Sequence, residues 1–232
     1  MRPEAMTDML AHFNDPKAVA HYAEGPVRFV PGYAELHRMT AILLGERAGP
    51  DARVLVLGAG GGAELKALAA AHAGWTFEGV DPAAEMLRLA ARQLGDLAPR
   101  VALREGYIED ASEGPFDAAA CLLTLHFLAR AERVRTAAEI RRRMKPGAPF
   151  VAAHSSFPQE ASARPQWLSR YAAYAVASGA DPAMAETARA GVAAHLDLLS
   201  PEEDEAVLRE AGFSGVAMFY AAFTWRGWVA YA

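Results

Sequence analysis

The sequence predicts an α/β fold: a doubly wound, Rossmann-like parallel sheet with helices on both faces, closed by an antiparallel strand pair. Three observations predict it. From residue 53 onward, short continuous apolar runs alternate with stretches of helical spacing, the pattern of strands buried on both faces and their crossover helices. The first run, Arg53-Val54-Leu55-Val56-Leu57, passes directly into Gly58-Ala59-Gly60-Gly61-Gly62. The chain closes in two strand-like runs, Val216–Phe223 and Trp225–Tyr231, around Arg226-Gly227.

The elements follow in order. Residues 1–50 read as an N-terminal helical cover. Asp15-Pro16 caps a helix carrying Ala18, Val19 and Tyr22, while Pro31 and Gly32 set Val27–Tyr33 as an extended or turn segment. Leu36, Met39, Thr40, Leu43 and Leu44 then recur at helical spacing. Residues 51–157 form the core. After the first strand and glycine loop comes a helix with Leu65, Leu68, Ala69 and His72 on one face. Strands follow at Trp75–Val80, Val101–Glu105, Ala118–Leu123 and Phe150–Ala153, with helices carrying Met86, Leu87 and Leu94 and spanning 131–143. Residues 158–199 read as a helical lid inserted after strand 5, whose Trp167, Tyr171, Tyr174 and Met184 either pack as core or cover a small-molecule pocket. Residues 200–232 hold the last helix, opened by the capping-box spacing of Ser200-Pro201-Glu202-Glu203, and the strand pair. With no repeat or linker, 1–232 reads as a single domain.

Composition narrows the classes. The 232 residues are 53% hydrophobic and 22% charged, which suits a globular chain and excludes extended disorder. A net charge of −5 argues against nucleic acid as a partner. The one cysteine, Cys121, excludes an internal disulfide and a cysteine-rich metal site, and the histidines show no ligand spacing, so no metal is expected. Met1–Asp8 carries early acids without an apolar core, and no apolar run approaches the roughly 18 residues of a membrane span. A cytoplasmic protein without membrane attachment is expected.

The glycine loop lies where a backbone must approach a ligand closely, and the helix after it offers free N–H groups to an anion. Asp81 stands 23 residues after Gly58, at the carboxyl end of the second strand, where a carboxylate can accept both hydroxyls of a ribose. Together they point to an adenosine-containing ligand; the alternative is a tight turn followed by a helix-capping aspartate. Gly58-x-Gly60-x-x-Ala63 also fits a dinucleotide fingerprint, so a nicotinamide cofactor competes. Against it stand the long segment before the first strand, the direct passage of Asp81-Pro82 into an apolar helix, and the closing hairpin.

Val54–Gly62, Gly79-Val80-Asp81-Pro82, Phe116-Asp117 and Lys145-Pro146-Gly147 together resemble the class I S-adenosylmethionine-dependent methyltransferases over residues 27–232. The resemblance implies a seven-stranded sheet with an antiparallel last strand, S-adenosyl-L-methionine as cofactor and a small-molecule methyl acceptor. It sets Gly58, Ala59 and Gly60 beside methionine and ribose, Asp81 and Pro82 at the ribose diol, and Tyr107 and Ile108 at the adenine. Two departures stand out: Val56 and Tyr107 occupy places where the family often has acids. Glu105, Glu109 and Asp110 are the nearby substitutes for the second.

Val30-Pro31-Gly32-Tyr33, Thr124-Leu125-His126-Phe127-Leu128 and Ala211-Gly212-Phe213 more closely resemble the carboxy-S-adenosylmethionine synthases. That resemblance implies Tyr33 at the cofactor and Arg189 gripping an extra carboxylate bidentately. Leu122 and His154-Ser155 depart from the subgroup, so synthesis or binding of the carboxylated cofactor is the alternative function. Arg189 also has a structural reading, snorkelling at the edge of a helix Pro182–Leu199 whose face holds Met184, Ala188, Val192, His195, Leu196 and Leu199. A non-catalytic S-adenosylmethionine-binding protein is a further alternative.

Methyl transfer from a sulfonium requires alignment and water exclusion, and a base only when the acceptor loses a proton. His126, after the fourth strand, is the catalytic candidate, with His154 after the fifth beside it; either can instead be a packed structural histidine. Cys121 reads as inert core. Phe219, Tyr220, Phe223, Trp225, Trp228 and Tyr231 read as sheet and interface residues, and exposed aromatics among them would support a homodimer.

Overall fold

The computed structural model describes residues 10–20, 22 and 24–232; Met1–Asp8 and His21 lie outside the described residues. A seven-stranded sheet organises the chain in the order β3-β2-β1-β4-β5-β7-β6. The strands are β1 (Arg53–Leu57), β2 (Thr76–Asp81), β3 (Val101–Glu105), β4 (Ala118–Leu122), β5 (Pro149–Ser155), β6 (Ser214–Ala222) and β7 (Trp225–Tyr231). The first five are parallel, β7 runs antiparallel to β5, and β6 is antiparallel to β7 at the edge. The order reverses between β1 and β4, and that switch point opens the crevice where such sheets bind ligands.

Strand alternation sorts the apolar residues into two cores. Val54 and Val56 of β1, Ala118 and Ala120 of β4 and Val151 of β5 pack against α3 (Tyr33–Gly45), α4 (Ala63–Ala71) and α5 (Ala84–Leu94) through Leu36, Leu44, Leu65, Leu68 and Leu87. On the other face Leu55, Ala119, Cys121, Phe150 and Trp228 meet Ala137 and Ile140 of α6 (Arg130–Arg142) and Leu208 of α9 (Pro201–Glu210). Both faces of β1 and β4 are therefore dry, which is why their sequence is continuously apolar. The capping box of α9 forms: Ser200 Oγ accepts the Glu203 N–H at 3.3 Å and the Glu203 carboxylate accepts the Ser200 N–H at 2.8 Å. Among the described residues no helix is long and apolar enough to cross a membrane.

In the N-terminal part, residues 10–13 are helical and are followed by α1 (Pro16–Ala20), preceded by Asp15, whose Oδ1 accepts the Lys17 N–H at 2.9 Å. A first correction follows. Val27–Phe29, expected extended, belong to α2 (Glu24–Phe29), and only Val30–Gly32 form the turn. Pro26 sits in the first helical turn, where its missing N–H costs nothing. Packing supplies the rest: the Phe29 ring packs tilted against Tyr171 with centroids 5.2 Å apart, and the Phe29 carbonyl accepts the Trp225 indole N–H at 2.9 Å.

After β5 come α7 (Arg164–Ala177) and α8 (Pro182–His195). The latter stops at His195, short of the expected Leu199, because Leu199 turns to serve β5: its carbonyl accepts the Phe157 N–H and the Ser156 hydroxyl, both at 3.3 Å. Met184, expected on the buried face, is exposed, and Ala185 is the buried position. Tyr171 and Tyr174 pack against Phe29 and Phe223. Tyr220, Trp225 and Trp228 are buried within the chain, leaving Phe223 and Met218 as the exposed apolar residues of the terminal pair.

Candidate active site

A cavity of about 420 Å³ opens at the carboxyl ends of β1, β2 and β4, within the usual range for a small-molecule site. The glycine loop forms its floor. Gly58 and Ala59 donate their amides to the Val80 carbonyl at 2.8 and 3.0 Å, locking the loop to β2. Gly58 has φ +75°, and a Cβ there would lie 1.9 Å from the Thr124 hydroxyl oxygen, so the position admits glycine alone. Gly58→Ala is expected to lose about 1–3 kcal/mol from backbone strain before the clash with Thr124 is counted. An unfolding midpoint unchanged in urea would overturn this.

Asp81 ends β2 and is buried. Its Oδ2 accepts the Gly60 N–H and its Oδ1 the Ala83 N–H, each at 2.9 Å. These bonds fix the carboxylate against the loop and leave each oxygen a second acceptor direction toward the cavity. Burial raises its pKa and the two amides offset part of that rise. Tyr22, raised to about 12 by burial and by Asp81, and Tyr33, raised by burial, both line the cavity as neutral phenols. His37 stands against Tyr33 with ring centroids 4.5 Å apart, and burial pushes it down to about 4, so it is neutral.

Tyr33, Gly58, Ala59, Gly60, Asp81, Pro82, Tyr107 and Ile108 all line this one cavity. Ile108 is buried and Tyr107 half exposed at the mouth. Of the three acids near Tyr107, Glu109 lines the cavity and pairs with Arg135, whereas Asp110 accepts the Tyr107 N–H at 2.8 Å.

Two expected residues are not brought here. Arg189 lies outside the cavity on α8, where its guanidinium pairs with Glu186 one turn earlier. His126 is buried and does not line the cavity; its ring centroid lies 5.7 Å from that of Trp225, and Nδ1 accepts the Ser155 N–H at 3.5 Å. Burial, then His154 and Arg133, hold its pKa well below the usual value. The helices expected as a lid also contribute no lining residue; the cover comes from the N-terminal segment through Leu10, Phe13, Tyr22 and Tyr33. Phe13 meets Tyr22 and Phe127 edge-on at 5.9 and 6.2 Å, making an aromatic wall whose Tyr22 lies against Gly60 and Gly61 of the loop.

Among the cavity residues that escaped the sequence reading is a buried acid. Glu64, in the first turn of α4, is 6% exposed, and its Oε1 has no hydrogen-bond partner. Burial raises its pKa to about 8, with the Leu122 backbone offsetting part of the effect. The available signal was spacing, since Glu64 is four residues before the buried Leu68 and adjoins the buried Leu65.

Residues 54–147 match the methyltransferase domain family. The fold is that of the S-adenosylmethionine-dependent methyltransferases. An O-methyltransferase family protein from Burkholderia thailandensis superposes with a TM-score of 0.69 at 18% identity, covering 96% of this chain and 61% of that one. PigF with SAH gives 0.69 at 19% identity, covering 97% and 62%. Human N-acetylserotonin methyltransferase in complex with SAM gives 0.62 at 16% identity, covering 95% and 55%. The chain thus spans about three fifths of the length of these methyltransferases. No curated protein matches it in sequence.

Proposed function

We propose that the chain is an S-adenosylmethionine-dependent methyltransferase acting on a small molecule. The observation that carries the reading is the Gly60 amide held on the Asp81 carboxylate inside the cavity, which sets a ribose-binding acid against a loop that a ligand can approach. The donor set fits the cofactor. Asp81 offers acceptors to a diol, Ile108 an apolar surface and Tyr107 a ring for the adenine, and α4 an uncapped N-terminus for a carboxylate.

When bound, S-adenosylmethionine supplies a methyl group already activated on a sulfonium. This chain's part is then to orient and to exclude water. The wall of Phe13, Tyr22 and Phe127 suits an apolar or aromatic acceptor and shields it from solvent. Proton removal is assigned to no side chain, because His126 does not line the cavity. The carboxylated-cofactor alternative needed Arg189 in the cavity, and the Glu186 pair holds that guanidinium outside it. A homodimer formed through the β6 edge would cover Met218 on that strand and Phe223 just after it, both exposed.

The test is calorimetric titration with S-adenosylmethionine, S-adenosylhomocysteine and NAD. Both sulfur ligands should bind, and Asp81→Ala should weaken them by about 1.5–3 kcal/mol through loss of a charge-assisted hydrogen bond. NAD binding alone, or an unchanged dissociation constant in folded Asp81→Ala, overturns the reading. Binding without turnover across a panel of acceptors would leave the non-catalytic alternative in its place.

A further inference from the structure

A second hollow, of about 520 Å³, lies between α3 and α4. Helical spacing builds it: Ala34, Ala41 and Ile42 share a face of α3, and Ala67 and Ala71 share a face of α4. These small side chains keep the two helices' facing surfaces from filling the space. Along α3 the lining runs from Ala34 to Ile42, about 12 Å at the usual helical rise.

The polar groups of this hollow are all of one kind. They are His37, Arg38 and His72, and among the described residues no acid lines it. His72 is already committed, with its ring stacked on Trp75 at 3.6 Å and Nε2 donating to the Ala41 carbonyl at 3.1 Å. Arg38 is not. It pairs with Glu35 at 3.2 Å, but the two side chains are 72% and 56% exposed, and water leaves such a pair with little net strength. A ligand carboxylate can therefore take the place of Glu35. His37 is the inner wall. It is 7% exposed, its ring meets that of Tyr33 edge-on, and among the described residues no hydrogen bond reaches its imidazole. A buried imidazole ordinarily has a partner, and a neutral one offers a donor and an acceptor. His37 lines this hollow and the cavity of the glycine loop alike, so a ligand that engages it acts on Tyr33 as well.

We propose that the α3–α4 hollow is a second small-molecule site, which takes an apolar carboxylate and alters the affinity of the cofactor cavity through His37. The alanines and Ile42 hold the apolar body, Arg38 takes the carboxylate, and the His37 imidazole donates a hydrogen bond to it. An amine would meet only bases there, and a neutral apolar molecule would leave Arg38 without a counter-charge. The site goes beyond the methyl-transfer reading, and only its coupling to the other cavity makes use of that reading's cofactor.

The experiment uses octanoate as the probe, with octanol and octylamine as controls of equal chain length. Each is titrated by calorimetry into wild type, Arg38→Gln and Ile42→Glu. Both positions face solvent, so the variants should fold as wild type does. Wild type should bind octanoate on the order of tenfold more tightly than either control, the difference made by a charge-assisted hydrogen bond. Arg38→Gln should abolish that preference. Ile42→Glu, which sets a like charge one turn from Arg38, should weaken octanoate on the order of tenfold. With octanoate saturating, the S-adenosylhomocysteine dissociation constant should shift by about fivefold or more while both ligands remain bound, and the reverse titration should show the same factor. Absence of octanoate binding, equal affinity for octanol, or binding untouched by both substitutions overturns the proposal. Mutual exclusion of octanoate and S-adenosylhomocysteine also overturns it, by placing the probe in the cofactor cavity, as does an unchanged S-adenosylhomocysteine affinity. Wild type that binds octanoate with the expected selectivity but no S-adenosylhomocysteine supports the carboxylate site and overturns the cofactor reading alone.

Discussion

Asp204→Ala is expected to destabilise the protein by about 3–5 kcal/mol, because it strands a fully buried guanidinium. Arg133 on α6 and Asp204 on α9 have 0% and 1% side-chain exposure and meet at 2.7 Å. The same guanidinium donates to the carbonyls of Leu128 at 2.9 Å and Asp197 at 2.7 Å, while His154 Nε2 approaches Asp204 at 3.1 Å. Burial alone would raise the Asp204 pKa; His154 and Arg133 outweigh it and hold the carboxyl below its ordinary value. The stabilisation is therefore present above the unfolded carboxylate pKa and lost as pH falls through the lower folded one. Urea unfolding at neutral pH measures the cost, and a double variant with leucine at both positions should recover part of it. The effect reaches the cavity, since Arg133 anchors the Leu128 carbonyl and both Phe127 and Leu128 line the wall. A cost below about 1 kcal/mol, the scale of an exposed pair, would mean that water replaces the lost carboxylate.

What the sequence disclosed follows from what each residue's pattern depends on. The strands β1 to β5 were legible because burial on both faces forces continuous apolar runs. The ribose-side residues were legible because Gly58 and Asp81 answer to backbone geometry, which local sequence encodes. The cover was not. Trp167, Tyr171, Tyr174 and Met184 announced an amphipathic pair of helices, but periodicity does not say what a face packs against, and Phe29 and Phe223 rather than a ligand meet the two tyrosines. Arg189 rests on a gapless count back from Ala211-Gly212-Phe213, which fixes a position in the sequence and not its surroundings; its partner is Glu186, one turn away on the same helix. Glu64 was hidden for a different reason. An acid in the first turn of a helix is ordinary, since the dipole favours it, so only the three-dimensional burial of that carboxyl sets it apart.

That burial carries a consequence independent of any ligand. Between about pH 5 and 8 the ligand-free protein is expected to lose stability on account of Glu64, by up to about 1.4 kcal/mol per pH unit. The sign follows from the two pKa values: the unfolded chain ionises Glu64 near 4.3, whereas the folded one holds the proton until about 8. Stability is full below the unfolded value and declines until the folded value is passed. Glu64→Gln imitates the neutral acid at every pH, so it should match wild type near pH 4.5 and exceed it by a few kcal/mol at pH 8. Asp81 is raised in the same direction, but it is common to both proteins and cancels in their difference. Denaturant midpoints measured in parallel across that range give the answer, and coincident curves would show that the folded carboxyl ionises as freely as the unfolded one. A widening gap would instead identify Glu64 as a group whose charged form the empty fold disfavours.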